Sequence, residues 1–261
     1  MQPVIPAYVA PVVLVVMLGL AAYVARTVAR AATVAPLPDN SRRRVVIVAT
    51  LILGAWLLAA ILRAPSTAPL DASGRGVVPI AFAVFGIASL VVALGALALS
   101  DAWRRTLDAI PVERLVLIQA FRVLGVIFVQ LWTIGALPKR FALGAGLGDI
   151  AIGLAAPFVA FALARHLSGS RALALTWNTL GVLDLVAAVG LGTGFLVHLM
   201  APASPLEPAA AMTMFPLAIV PTFGVPLAIV LHLYTYRALA RSTSVSRGDR
   251  VPLSPRTATV G

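Results

Sequence analysis

Seven stretches of this chain are almost wholly apolar, and its polar positions gather between them. The stretches run at about 5–25, 45–62, 77–100, 114–135, 141–164, 172–198 and 211–236. Each comes close to or exceeds the roughly 20 residues that an α-helix needs to cross about 30 Å of hydrocarbon. The pattern therefore predicts an all-α fold: a polytopic membrane protein built as a bundle of seven transmembrane helices.

Polar residues are spread unevenly over the seven. The first three helices hold almost no polar side chain, whereas the last four hold nearly all of them. The expected organisation is a single transmembrane domain over 1–241. Residues 1–105 form its apolar three-helix part and 106–241 its polar-cored four-helix part. A polar, Ser-, Arg- and Pro-rich tail at 242–261 is expected to be a disordered, basic cytoplasmic extension.

Composition narrows the class. The 261 residues are 61% hydrophobic and 11% charged, with a mean hydropathy of +1.00. A soluble domain would carry about 25% charged residues. The absence of Cys removes disulfides, thiolate metal sites and cysteine nucleophiles together. The net charge of +11 could suggest nucleic-acid binding, but the basic residues sit in the short loops, where they orient a membrane protein. No nucleic-acid partner is expected; the expected partner is the lipid bilayer.

With the N-terminus outside, the cytoplasmic segments carry fifteen Lys and Arg and the outer loops four, which predicts N-out/C-in. The first apolar run has no basic residue before it and is followed by Arg26 and Arg30, the reverse of a secretory signal. It reads as an N-out anchor. All basic residues but Lys139 are Arg, which with abundant Ala and Val is the usage of a GC-rich bacterial genome. The expected location is a bacterial cytoplasmic (inner) membrane.

Three charges interrupt the apolar runs: Arg122, Asp149 and Asp184. A charge at the bilayer centre costs about 2.5–3.5 kcal/mol even on lenient scales, so such residues face protein or a water-filled cavity. On the fourth helix Gln119, Arg122, Gln130 and Thr133 fall within about 80° of one another at α-helical spacing, a single inward stripe. Asp149 lies in the row Ala145, Asp149, Gly153, Ala156. Asp184 lies in the row Trp177, Gly181, Asp184, Ala188, Gly192. Small-residue rows of this kind let helix backbones approach closely.

Depth along the helices brings the three charges together. Counted from the loop near 168, Asp149 and Asp184 are 19 and 16 residues away. Counted from the loop near 138, the mismatch between Arg122 and Asp149 is about 8 Å, within reach of a long side chain. One Arg then meets two Asp with a formal surplus of one negative charge. In low dielectric that surplus calls for a bound proton or a cation.

A second polar level is expected nearer the cytoplasm. Asn178 and His232 are each 27 residues from the loop near 205, with Gln119 close by, and the His could relay protons. His166 and His198 sit at opposite membrane faces and cannot share a metal with His232, so neither a metal site nor another cofactor is expected. Pro216, Pro221 and Pro226, with Gly224 among them, make a regular helix unexpected over the outer half of the seventh span, where a hinge or a static kink would fit.

Gly146-Leu147-Gly148-Asp149 resembles the Gly-x-Gly-Asp motif of intramembrane aspartyl proteases. The resemblance implies Asp149 as the motif carboxyl and Asp184 as its dyad partner, one protonated and one activating water. In that family the partner precedes the motif, whereas here it follows, and the family's Pro-Ala-Leu motif has no clear counterpart. Residues 113–240 also resemble a group of uncharacterised bacterial integral membrane proteins. That resemblance rests on Leu137-Pro138, Phe141, Gly148-Asp149, Trp177-Asn178, Gly181, Asp184, Phe215-Pro216, Pro221, Pro226 and His232. It implies that the last four helices act as one unit and assigns no chemistry.

Three functional classes follow. The first is a membrane protein with a polar intramembrane site that binds or translocates a proton, a cation or a small ligand. The second is a non-catalytic scaffold or assembly partner in which the same residues glue helices together. The third is an intramembrane aspartyl protease.

Overall fold

The computed structural model describes residues 3–67, 80–200 and 209–248, and every regular element among them is helical. Helix α1 (Val9–Val34) pairs with α2 (Asp39–Arg63), and α3 (Ile80–Leu99) turns into the short α4 (Asp101–Asp108). One span then follows in three pieces: α5 (Val112–Ile118), a 3-10 segment (Gln119–Gly125) and α6 (Val126–Thr133). Helices α7 (Lys139–Ala164) and α8 (Ser170–Gly192) are long and α9 (Phe195–Met200) is short. Beyond a 3-10 turn at Ala210–Thr213, a π-helical stretch (Val220–Gly224) leads into α10 (Val225–Gly248).

Six helices are long and apolar enough to cross a membrane: Val9–Val34, Asp39–Arg63, Val112–Thr133, Lys139–Ala164, Ser170–Gly192 and Val220–Arg241. The α3–α4 pair, bent by 100°, makes seven if it counts as one span. Large apolar side chains point outward along these helices, among them Leu154, Phe158 and Phe161 on α7 and Leu180 and Leu183 on α8. A soluble protein rarely leaves so much contiguous apolar surface in water, whereas a multi-pass membrane protein turns it to the acyl chains.

Helix ends follow local chemistry more closely than hydropathy. Pro38, Pro111 and Pro138 immediately precede α2, α5 and α7 with extended ψ values of 148°, 133° and 138°. A Pro there fixes φ and removes an N–H that the first turn would leave unbonded in any case. Helix α1 runs to Val34, two turns past the expected end near 25, because nothing between Arg26 and Pro36 stops it. Helix α8 ends at Gly192 instead of continuing to 198, since Gly194 turns left-handed at φ 75°. The expected loop after residue 100 contains α4, which starts where the Ser100 side chain accepts the Trp103 N–H at 3.2 Å.

The polar tail expected from 242 starts as helix, since after Pro226 in its first turn α10 meets no Gly or Pro before Gly248. The rest of that tail (249–261), Arg75 and the centre of the loop near 205 lie outside the described residues.

Packing sets the site between the last four spans. The 112–133 span lies along α7, α7 pairs with α8, and α10 rests on α8 and α5. Glycines bring the backbones close. A Cβ on Gly125 would meet Gly146 O at 2.7 Å, and one on Gly153 would meet Val123 N at 2.6 Å. The apolar core joins α1, α2, the 112–133 span, residues 209–223 and α10 around Met17, Leu131 and Phe223.

Prolines shape the last span as expected. Pro226 has no N–H to give Thr222 O, and that carbonyl accepts instead from Trp56 Nε1 at 2.9 Å. The Val225 N–H reaches back to Val220 O, which closes the π turn. The Phe215–Pro216 bond is cis.

Candidate functional site

Arg122 sits on the 3-10 segment at the middle of its span and is 2% exposed. Its Nε donates to Asp149 Oδ1 at 2.7 Å, and its Nη2 donates to Asp184 Oδ2. The Nε–H and one Nη2–H of a guanidinium point the same way, as the fork that usually takes both oxygens of one carboxylate. Here two carboxylates from two helices share that edge, so Asp149 and Asp184 lie side by side. Their side chains keep 14% and 15% exposure while that of Arg122 keeps 1%.

The opposite edge of the guanidinium is held by protein. Arg122 Nη1 donates to Gly181 O at 3.2 Å and lies 3.3 Å from His232 Nε2. His232 Nδ1 is 2.8 Å from Asn178 Oδ1, and Asn178 Nδ2 donates to His232 O at 3.2 Å. These contacts fix the roles. Because the Asn amide nitrogen faces a carbonyl, its oxygen takes the Nδ1–H, which leaves Nε2 as an acceptor for Arg122. His232 is therefore the neutral Nδ1–H tautomer. The Trp177 ring packs against the imidazole, with centroids 5.6 Å apart, and its Nε1 donates to Ile152 O at 3.1 Å.

Gln119, one 3-10 turn before Arg122, donates Nε2 to Ala228 O at 3.0 Å on α10. Its Oε1 is buried and has no hydrogen-bond partner among the described residues. Beside Arg122 and Asp149 lies a small cavity of about 20 Å³, also lined by Val220 and Gly224 of the π turn and by Val225 of α10. That volume holds one water-sized species, since about 10–15 Å³ of such space suffices for a single water.

The expected cluster of Arg122, Asp149 and Asp184 is brought together. Asn178 and His232 are neighbours, as depth counting anticipates, but they do not form a separate level: His232 touches Arg122 directly. Gln119 belongs to the same chain of contacts through Ala228. Gln130 does not, and neither does Thr133; both are exposed, and Thr133 Oγ merely bonds Gln130 O at 2.7 Å. The 3-10 turn explains the correction. Each 3-10 step turns about 120° against about 100° for an α-helix, so the three steps from Arg122 to Gly125 move Gln130 from about 80° to about 140° away.

Of the prolines, Pro226 lies in the first turn of α10, six residues before His232, and Pro221 lies within the π turn that bounds the cavity. Pro216 lies further out, in the irregular segment.

Sequence spacing gives Gly181 a packing role only. A Cβ there would meet His232 Cε1 at 2.5 Å, and the Gly181 carbonyl is itself an Arg122 ligand. A Cβ on Gly148 would run into the Asp184 carboxylate. Gly148 and Gly181 thus make room for the ion cluster. Among the described residues no three His, Asp or Glu side chains converge as metal ligands.

Residues 77–240 match a family described as a domain of unknown function, DUF8737. The match reaches further towards the N-terminus than the sequence resemblance over 113–240, and it contains every residue of the cluster. No curated protein and no solved structure matches the chain.

Proposed function

We propose that this chain, which belongs to the DUF8737 family, binds and moves a proton or a small monovalent cation at the Arg122–Asp149–Asp184 cluster. The protein would lie in a bacterial cytoplasmic membrane as seven spans, the bent α3–α4 pair counted as one, with N-out/C-in orientation. The excess of Lys and Arg in the loops on one side supports that orientation.

The observation that carries the reading is the pair of carboxylates on one edge of a single guanidinium in mid-span. One cation facing two anions leaves a surplus negative charge in a low-dielectric setting. A proton or a cation on the carboxylate pair offsets it. The cavity beside Asp149 has room for a water-sized species, which favours a proton or small cation over a larger ligand.

The test is flux in liposomes containing purified protein. Wild type should dissipate an imposed proton or monovalent-cation gradient, and Asp149→Asn and Asp184→Asn, both folded, should not. No flux in the wild type under either gradient overturns translocation.

A second reading has its own observation. Arg122 spends four of its five N–H groups on protein partners across three helices. That arrangement also suits a purely structural seam in a scaffold or assembly partner. Unchanged flux and unchanged cellular phenotype in both Asp→Asn variants would favour it. The protease reading draws on the same adjacency of Asp149 and Asp184. It is the least supported, because a guanidinium bonded to both carboxyls favours charge neutralisation over activation of a water.

A further inference from the structure

A second, larger cavity lies away from the ion cluster. It has a volume of about 330 Å³, within the range of small-molecule sites. It is bounded by the second half of α1, the middle of α2, Ala88–Ala96 of α3, α4, the second half of α5 and the first half of α10. All of these meet at the membrane end that carries the α1–α2 link and the α3–α4 corner.

Its lining is hydrocarbon-like. The polar atoms among the lining residues are spent on protein. Trp56 Nε1 bonds Thr222 O, Thr27 Oγ bonds Tyr23 O, and Ser89 Oγ bonds Gly86 O. Trp103 Nε1 reaches Tyr234 OH, which in turn reaches Ala93 O, both at 3.4 Å. Among these described residues no free donor remains to order water, and an apolar void left empty forfeits dispersion contacts along its whole wall.

The mouth opens sideways. Helix α2 packs on α1, α4 and the Val220–Gly224 stretch, and α3 packs on α10, α4 and the same stretch; among the described residues α2 and α3 share no substantial interface. Three lining residues on these two helices are well exposed: Val48 at 47%, Ile52 at 43% and Val92 at 49%. In a membrane that gap faces acyl chains. Exposed Arg44 stands four residues before Val48 and eight before Ile52, on the same face of α2. It lies about 6 Å nearer the membrane surface than Val48, at about 1.5 Å of rise per residue.

We infer that the α2–α3 gap is a lipid site: one acyl chain of an anionic phospholipid from the surrounding leaflet enters the cavity, and Arg44 holds its phosphate. The inference rests on the membrane reading alone and is independent of ion movement at Arg122.

Trp56 and Trp103 line the cavity and report on it. The full chain is reconstituted in vesicles of phosphatidylglycerol or phosphatidylcholine carrying brominated acyl chains, which quench nearby indoles. The expected result is stronger quenching by the anionic lipid. Ala93→Phe, which takes up part of the cavity, should reduce quenching by both lipids. Arg44→Ala, at an exposed position, should lower the anionic value more than the zwitterionic one, whose phosphate is already offset by its own choline, and so abolish the anionic preference. Equal quenching in wild type and a folded Ala93→Phe overturns chain entry. No anionic preference in wild type, or one that Arg44→Ala leaves intact, overturns the headgroup assignment.

Discussion

Asn178 and His232 exchange two hydrogen bonds across α8 and α10: Nδ1 of the imidazole with the amide oxygen at 2.8 Å, and the amide nitrogen with the His232 carbonyl at 3.2 Å. The pair sets the tautomer that lets Nε2 accept from Arg122. Asn178→Leu keeps the volume but strands the buried Nδ1–H. The expected cost is about 1–3 kcal/mol, seen as a lowered thermal midpoint in detergent. An unchanged midpoint would mean that the imidazole finds its orientation without Asn178.

Arg122 is the keystone of the same set of contacts, and its geometry matters as much as its charge. Arg122→Leu leaves two carboxylates with no cation and should cost about 3–5 kcal/mol or prevent folding. Arg122→Lys keeps the charge but replaces a planar fork with a point donor that cannot bond both carboxylates along one edge while also reaching Gly181 O and His232. Its midpoint should fall between those of wild type and Arg122→Leu. A Lys variant as stable as wild type would show that only charge counts.

Trp56 and Pro226 should couple. Trp56 donates to the Thr222 carbonyl that Pro226 cannot serve. Trp56→Phe removes one intramembrane hydrogen bond, worth about 1 kcal/mol. Pro226→Ala restores an N–H four residues on from Thr222, so Trp56→Phe should cost less in that background. Equal costs in a double-mutant cycle would show that the carbonyl is satisfied in another way.

Two glycines should respond oppositely to the same substitution. A Cβ on Gly181 meets the His232 ring, which is held at both nitrogens, so Gly181→Ala should lose about 1–3 kcal/mol by overpacking. Gly54 on α2 is exposed, and a methyl group added there would have nothing within 4 Å, so Gly54→Ala should be neutral or gain up to about 1 kcal/mol. The comparison of midpoints controls for helix propensity.

Much of the site is legible in the sequence because charge inside an apolar run admits few solutions. Small-residue rows mark the facing surfaces of α7 and α8, and loop counting puts Asp149 and Asp184 at nearly one depth with Arg122 about 8 Å away, within reach of its long side chain. What sequence spacing misses is local winding. The 3-10 turn at Gln119–Gly125 rests on glycine contacts across the interface, with Gly125 against Gly146 and Gly153 against Val123. No periodicity within 114–135 records those contacts, so α-helical spacing puts Gln130 on the wrong face. The two expected polar levels join because the Arg122 side chain reaches Gly181 O and His232. Helix α4 has a readable signal in Ser100 followed by Trp103 and Leu107 four residues apart, but its polar charges make it look like a loop.

The central claim is that the two carboxylates on one edge of Arg122 carry a surplus charge offset by one bound proton or cation. Infrared absorption of the purified protein, in a buffer whose cation is too large to enter the 20 Å³ cavity, tests it directly. The expected result is one buried protonated-carboxyl band at neutral pH. That band should vanish in both Asp149→Asn and Asp184→Asn, because each leaves a single carboxylate balanced by Arg122. Only ionised carboxylates in the wild type, or a band that survives both substitutions, would contradict the claim.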